Sequence, residues 1–137
     1  MTTLPVQLIT PSEKIFVGQA AMVLLPSYDG QRGILPDHAD FIGKLGTGVV
    51  SLINGGKDEL FAISEGIYHV SGGELKIMAM AAMEAQDVEL EDVKERLEMV
   101  EEKLETFNRI AEDSSELEKE RDYYKAQIAI GTWTASA

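Results

Sequence analysis

The chain of 137 residues contains no cysteine, which excludes both a disulfide framework and a zinc–thiolate centre. No stretch approaches the roughly 18 consecutive apolar residues of a membrane-spanning helix. The opening Met1-Thr2-Thr3-Leu4-Pro5-Val6-Gln7 has no basic n-region and no long apolar core, and does not read as a signal peptide. Proline is scarce, at 4, and the apolar share of 45% is ordinary for a globular protein, so nothing points to disorder. Basic residues are few. The 12 Lys and Arg face 24 Asp and Glu, for a net charge of −12. Phosphate backbones are gripped by cations, so this balance argues against a nucleic-acid partner. The lack of cysteine fits a cytoplasmic setting.

The charge that is present is unevenly spread. Residues 1–83 hold 8 acidic and 5 basic groups, a net of −3, while residues 84–137 hold 16 and 7, a net of −9. That asymmetry predicts a boundary near residue 84 and two units, 1–84 and 85–137. In the first unit the punctuation is that of short strands. Val6–Thr10 is closed by Pro11, Ile15–Val17 leads through Gly18 into Ala21–Leu25, and Pro26 closes the latter. Val49–Ile53 and Glu59–Ile63 flank Asn54-Gly55-Gly56, a strong hairpin signal, because Asn and Gly accept positive φ cheaply. Ile67–Val70 turns through Ser71-Gly72-Gly73 into Leu75–Met78. Between them, Gly30–Gly48 is broken by glycines and Pro36 into pieces too short for a helix, with Ile34-Leu35 and Phe41-Ile42 as small apolar groups. This is the pattern of a corner in a β-sandwich or barrel.

Past Gln86 the period changes. Leu90, Val93, Leu97, Val100, Leu104, Phe107 and Ala111 step alternately by 3 and 4, which places them on one helix face. Neither Gly nor Pro occurs from Ala85 to Ile130, permitting long helices over about 88–111 and 115–130. Asp113-Ser114-Ser115 interrupts them, Ser115-x-x-Glu118 has capping-box spacing, and Leu117, Tyr124 and Ile128 supply the second stripe. Gly131 is expected to stop the second helix, leaving 132–137 as a tail in which Trp133 either anchors to a partner or stands free. Two amphipathic helices joined by a short turn form a hairpin, because neither buries its stripe alone.

Reactive constellations are absent from this pattern. Asp37-His38-x-Asp40 is a partial ligand set, but metal sites need three or four convergent ligands and the other histidine, His69, lies in a strand. A hydrogen-bonded turn is the preferred reading. Gly43-Lys44 lacks the spacing and hydroxyl of a phosphate loop. Ser27, Ser64 and Ser71 stand outside any nucleophile-elbow context. The carboxylates from Glu84 onward suit a solvated helix face. Met78, Met80 and Met83 alternate as a strand face and are expected to fill the core. No catalytic residue, metal site or cofactor is predicted.

The order of residues in Gly33-Ile34-Leu35-Pro36-x-His38-Ala39, followed by a Gly-x-Val turn into a strand at Gly48, resembles the signature loop of the ε subunits of F-type ATP synthases. The opening Val6-x-Leu8-Ile9-Thr10-Pro11-Ser12-Glu13 is similar to that family's first strand and turn. Glu65-Gly66-Ile67 stands where the family has a Gly-Gly turn, and the two-helix end completes the likeness. The resemblance implies an α+β fold: an N-terminal flattened β-sandwich of about ten strands followed by a C-terminal antiparallel two-helix hairpin. It also implies a role without chemistry. Such a subunit binds γ and the c-ring in the central stalk, meets the α/β hexamer transiently, and couples ion translocation to ATP synthesis. It works on the cytoplasmic face of the bacterial inner membrane as a peripheral part, without inserting into the bilayer. Arg32, Ile34, Leu35, Asp37, His38, Asp40 and Phe41 are the expected partner-binding residues. Of these, Ile34, Leu35 and Phe41 should be buried in the core or against γ, with Arg32, Asp37 and Asp40 as a polar rim. If core, Leu35→Ala should cost about 2–5 kcal/mol.

There are departures from the family pattern. Asp37 and Asp40 replace its usual Gly and Pro. Family members that bind ATP carry Ile-Asp-x-x-Arg-Ala at the start of the first helix, where this chain has Val88, Glu89, Asp92 and Val93. The Arg that would meet phosphate is an acid, so no nucleotide site is expected. The alternative reading is a free adaptor that binds partners through an acidic helical hairpin.

Overall fold

A computed structural model describes residues 2–109 and 114–136, with side chains described through 106 and again from 114 to 132. Ten strands come first: β1 (Leu4–Ile9), β2 (Lys14–Ala20), β3 (Met22–Ser27), β4 (Gly30–Ile34), β5 (Phe41–Leu45), β6 (Gly48–Ile53), β7 (Glu59–Ile63), β8 (Gly66–Ser71), β9 (Glu74–Ala79) and β10 (Ala82–Glu84). A 3₁₀ turn at Ala85–Asp87 leads to α1 (Leu90–Arg109), and α2 (Ser115–Ser136) follows.

The strands make one continuous sheet in the order β10-β7-β6-β3-β5-β8-β9-β1-β2, with β4 on the side of β3. It folds over at the β3–β5 junction, where Ser27 opposite Leu45 is the single register pair. One layer is therefore β10, β7, β6, β3 and β4, the other β5, β8, β9, β1 and β2. All pairings are antiparallel except β1 with β9. Alternation puts Leu4, Val6 and Leu8 of β1 inside with Leu75, Ile77 and Ala79 of β9 and Tyr68 and Val70 of β8. They meet Val23, Leu25, Val50, Leu52, Phe61 and Ile63 of the facing layer. Phe16 of the edge strand β2 packs on Phe61 of β7 in the facing layer, with ring centroids 5.8 Å apart.

Local chemistry accounts for the turns. Gly55, Gly56, Gly72 and Gly73 all have positive φ, as the two predicted hairpins require. Asn54 does more than turn the chain: its Oδ1 accepts from the Ala21 N–H at 3.1 Å, and its Nδ2 donates to the Gln19 carbonyl at 2.9 Å, fastening the hairpin to the β2–β3 junction. Gly66 is fixed by a close approach, since a Cβ there would lie 1.9 Å from the Met78 carbonyl oxygen. Pro26 does not close its strand. It stays in the strand opposite Gln31 of β4, and its carbonyl accepts from the Gly46 N–H at 2.8 Å, while pairing to β6 ends at Leu24 and the contact with β5 begins at Ser27, so the missing N–H falls between those two ladders. The methionine expectation is also corrected. The inward positions of β9 are Leu75, Ile77 and Ala79, so Met78 faces outward, half-buried, and Met80 is 64% exposed.

The helices cover one outer face. α2 lies on β6 and β7, where Ala62, Ala126 and Ile130 are buried together and Val49, Leu60, Ala85, Val88 and Tyr123 pack around them. α1 packs on α2, with Val93, Val100 and Leu104 buried. Phe107 and Ala111 of the predicted stripe lie outside the described side chains, as does Trp133. Among the described side chains of α2 the buried residues are Ala126, Gln127, Ile130 and Gly131, whereas the expected Leu117, Tyr124 and Ile128 are half-buried. Gly131 does not stop the helix. Its missing side chain lets α2 lie against the segment entering α1: a Cβ would sit 3.0 Å from Leu90 Cδ2 and 3.1 Å from Val88 Cγ1.

Candidate functional site

The stretch Leu35–Asp40 is the corner that carries the chain from β4 in one layer to β5 in the other. Its two ends are held. Ile34, opposite Val23, is 0% exposed and belongs to the core, so it is corrected from a partner-binding residue to the anchor of the loop. At the other end Phe41 stacks obliquely on buried Tyr68, centroids 5.8 Å apart, and Tyr68 is held in turn by its hydroxyl, 3.1 Å from Ser27 Oγ. The Tyr68 ring fills the space over Gly43, where a Cβ would come within 2.5 Å of it.

Between those anchors the loop is hydrogen-bonded to itself and to a neighbour. The His38 N–H donates to the Leu35 carbonyl at 3.1 Å, and His38 Nδ1 donates to the Ala39 carbonyl at 2.6 Å. Asp40 Oδ1 accepts from the Gly72 N–H at 3.2 Å, tying the loop to the β8–β9 turn. Asp37 has φ +68°, a left-handed conformation that Asp tolerates better than most residues. Asp37, His38 and Asp40 do not converge. Among the described residues no group of three His, Cys, Asp or Glu side chains is arranged to hold a metal.

What the loop offers outward is apolar surface with a charged rim. Leu35 is 55% exposed and Phe41 38%, so neither is core. The Arg32 guanidinium lies 4.6 Å from the Phe41 ring centroid, within cation–π range, and pairs loosely with Asp29 at 3.8 Å. Two neighbours escaped the sequence reading. Ile42, 66% exposed, points to the outer face of its layer, and Tyr28, 81% exposed at the β3–β4 turn, lies under Lys44 Nζ at 5.7 Å. The signal for Ile42 was the even spacing of β5, in which Leu45 and Gly43 face in and Ile42 and Lys44 face out. Among the described residues of this surface no nucleophile has a base beside it.

At the hairpin root Val88 ends the 3₁₀ turn, the Val93 N–H donates to the Glu89 carbonyl at 2.9 Å, and Asp92 Oδ2 meets Arg96 Nε at 3.1 Å. Among the described residues one ion pair joins hairpin and sandwich: Lys119 Nζ reaches Glu65 Oε1 at 3.0 Å, with Glu116 at 3.4 Å. The hydrogen bond to Glu65, then the charge of Glu116, raises the lysine pKa above its usual value.

A ten-stranded sandwich with an exposed corner loop and a helical hairpin on one outer face defines a class, the β-sandwich domain of ATP synthase Delta/Epsilon chains. The model of that family matches residues 3–85. The chain is 34% identical over 104 residues to the ATP synthase epsilon chain of Halalkalibacterium halodurans, covering 76% of this chain and 78% of the relative. It is 33% identical over 119 residues to that of Bordetella petrii, covering 85% and 81%. In the solved mitochondrial ATP synthase of Euglena gracilis, one chain shares the fold with a TM-score of 0.75 at 20% identity, over 100% of this chain and 83% of its own length. The chain belongs to the epsilon-chain family of F-type ATP synthases. It is a subunit of that enzyme rather than its catalytic chain. Among the described residues no helix is long and apolar enough to cross a membrane.

Proposed function

We propose that this subunit is part of the rotor: it binds γ and the c-ring through the sandwich, turns with them, and so couples ion translocation to ATP synthesis in the β subunits. Family membership supports the reading, and the observation that carries it to particular residues is the exposed apolar loop. Leu35 and Phe41 stand out from a corner whose ends are fixed in the core, so little conformational entropy is lost when a partner covers them. Torque needs a stiff body, and the closed sandwich supplies one. Arg32, Asp37, His38 and Asp40 form the polar rim around the apolar contact. The site of action is the cytoplasmic face of the bacterial inner membrane, as a peripheral part of the complex.

Two units, 1–84 and 85–137, divide the work. The sandwich carries γ binding, and truncation after Glu84 is the test: the fragment is expected to fold and to capture γ, and failure to capture it overturns the assignment. Recovery of the full chain free of γ, α and β in a pull-down favours the free-adaptor alternative instead. The hairpin regulates ATP hydrolysis only weakly. Residues 115–130 carry Glu116, Glu118, Glu120 and Asp122 against Lys119, Arg121 and Lys125, and Lys119 and Arg121 are already paired with Glu65 and Asp122. A helix of net −1 gains little from an acidic surface in the α/β hexamer. Deleting residues 86–137 is expected to change hydrolysis by the assembled complex little; a several-fold rise contradicts the charge argument.

A further inference from the structure

At the root of the hairpin a cleft of about 400 Å³ opens between the 3₁₀ turn, α1 and α2. Its charged lining is Asp87, Glu89, Asp92 and Glu120 against one cation, Arg96. Arg96 Nε lies 3.1 Å from Asp92 Oδ2 and also acts on the Tyr124 hydroxyl, which donates to Glu120 Oε1 at 2.9 Å. The carboxylates of Asp87 and Glu89 make no hydrogen bond or ion pair with another described side chain. A phosphate-bearing ligand is repelled here.

Gln127 adds an independent observation. It is the buried polar side chain of the described residues, only 4% exposed, and it lines this cleft. Its amide makes no hydrogen bond with any described residue, yet no buried polar atom is fully sealed without a partner, so the amide is open to the cleft. An amide held so far from bulk solvent calls for a polar group entering from that side. The remaining walls are the rings of Tyr123 and Tyr124 and the side chains of Met83 and Val93. Tyr123 is half-buried, and that burial raises its pKa.

We propose that this cleft binds a linear alkylammonium ion, the chemistry shared by polyamines and lysine side chains. The ammonium is accepted by Asp87, Glu89 and the Gln127 carbonyl, its methylenes lie along Met83 and Val93, and the tyrosine faces favour the positive charge. The charge of the lining selects against anions, so the pocket beside the hairpin responds to amines rather than to nucleotides.

Calorimetric titration of the full chain at moderate salt tests this, with spermidine as the free amine and a capped lysine dipeptide as the protein-borne one. Saturable one-to-one binding of spermidine is expected. Binding of the dipeptide alone also supports the alkylammonium chemistry and assigns it to a partner's lysine. Asp87→Asn with Glu89→Gln, both at exposed positions, should weaken binding by roughly tenfold or more, as should Gln127→Met, because hydrogen bonds to a charged group are lost. Glu95→Gln with Glu98→Gln removes the same charge from the open face of α1 and should leave binding unchanged. Equal weakening by that control pair shows diffuse charge attraction and overturns the site, as does the absence of saturable binding by both amines. If Gln127→Met proves unfolded by circular dichroism, the Asp87 and Glu89 pair decides.

Discussion

The sandwich and the hairpin are both held by apolar burial, but in different measure. The sandwich core draws buried side chains from nine of its strands into one cluster, most of them under 2% exposed. The hairpin rests on the sheet through Ala62, Ala126 and Ile130, with half-buried neighbours and one exposed ion pair. Free energy of burial scales with area, so the first unit is a rigid body and the second is an attachment whose release costs far less than unfolding. The same chain thus joins a densely packed sandwich to a hairpin held by far fewer buried side chains.

The largest effect expected is in the core. Ile34→Ala should destabilise the whole sandwich by about 2–5 kcal/mol, seen as a single shifted unfolding transition, whereas its neighbour Leu35→Ala should cost less than about 0.5 kcal/mol. If the two prove equal in chemical denaturation, the loop is not anchored as described. Leu35→Ala should instead lower γ affinity. Next comes Ile130→Ala. A cost of about 2–4 kcal/mol is expected, confined to the hairpin. Amide exchange should accelerate in α1 and α2 while β1, β8 and β9 keep their protection; uniform acceleration would make the molecule one cooperative unit.

A smaller effect concerns pH. Burial raises the Tyr123 hydroxyl above its ordinary pKa of 10.0, so the folded form holds the proton more tightly than the unfolded chain. The stabilisation is then fully present below pH 10.0 and is lost as pH rises through the raised value. In an alkaline titration the helical signal should weaken before the sandwich melts, and Tyr123→Phe should remove that early step. The smallest effect is at the ion pair. Lys119→Gln removes an exposed contact to Glu65, and thermal melts should be displaced barely, with the difference vanishing at high salt. A clear loss of hairpin docking in that variant would raise the ion pair above the apolar contacts.

Much of this was legible in the residues. Asn54-Gly55 and Gly72-Gly73 announce their hairpins because the turn itself demands positive φ. The 3-4 spacing from Leu90 announces α1 because that helix has one covered side, against α2. α2 was read less well for the opposite reason. It lies between α1 and the sheet, so its buried positions spread round the helix and include Ala126, Gln127 and Gly131, residues that no apolar stripe would select. β4 was hidden for a related reason: Gly30-Gln31-Arg32-Gly33 has no alternation to see, and pairing with β3 makes it a strand.

By itself the sequence determined the order of short strands followed by helices, the seat of the acidic charge, and the corner at Leu35–Asp40, since periodicity, charge and turn chemistry are local properties. Only the tertiary structure decided that Ile34 is core while Leu35 is surface, that Gly131 is a packing site and not a stop, and that Gln127 faces a cleft walled by acids. Each of those depends on what another part of the chain places opposite, and a contact partner distant along the chain leaves no mark in local spacing.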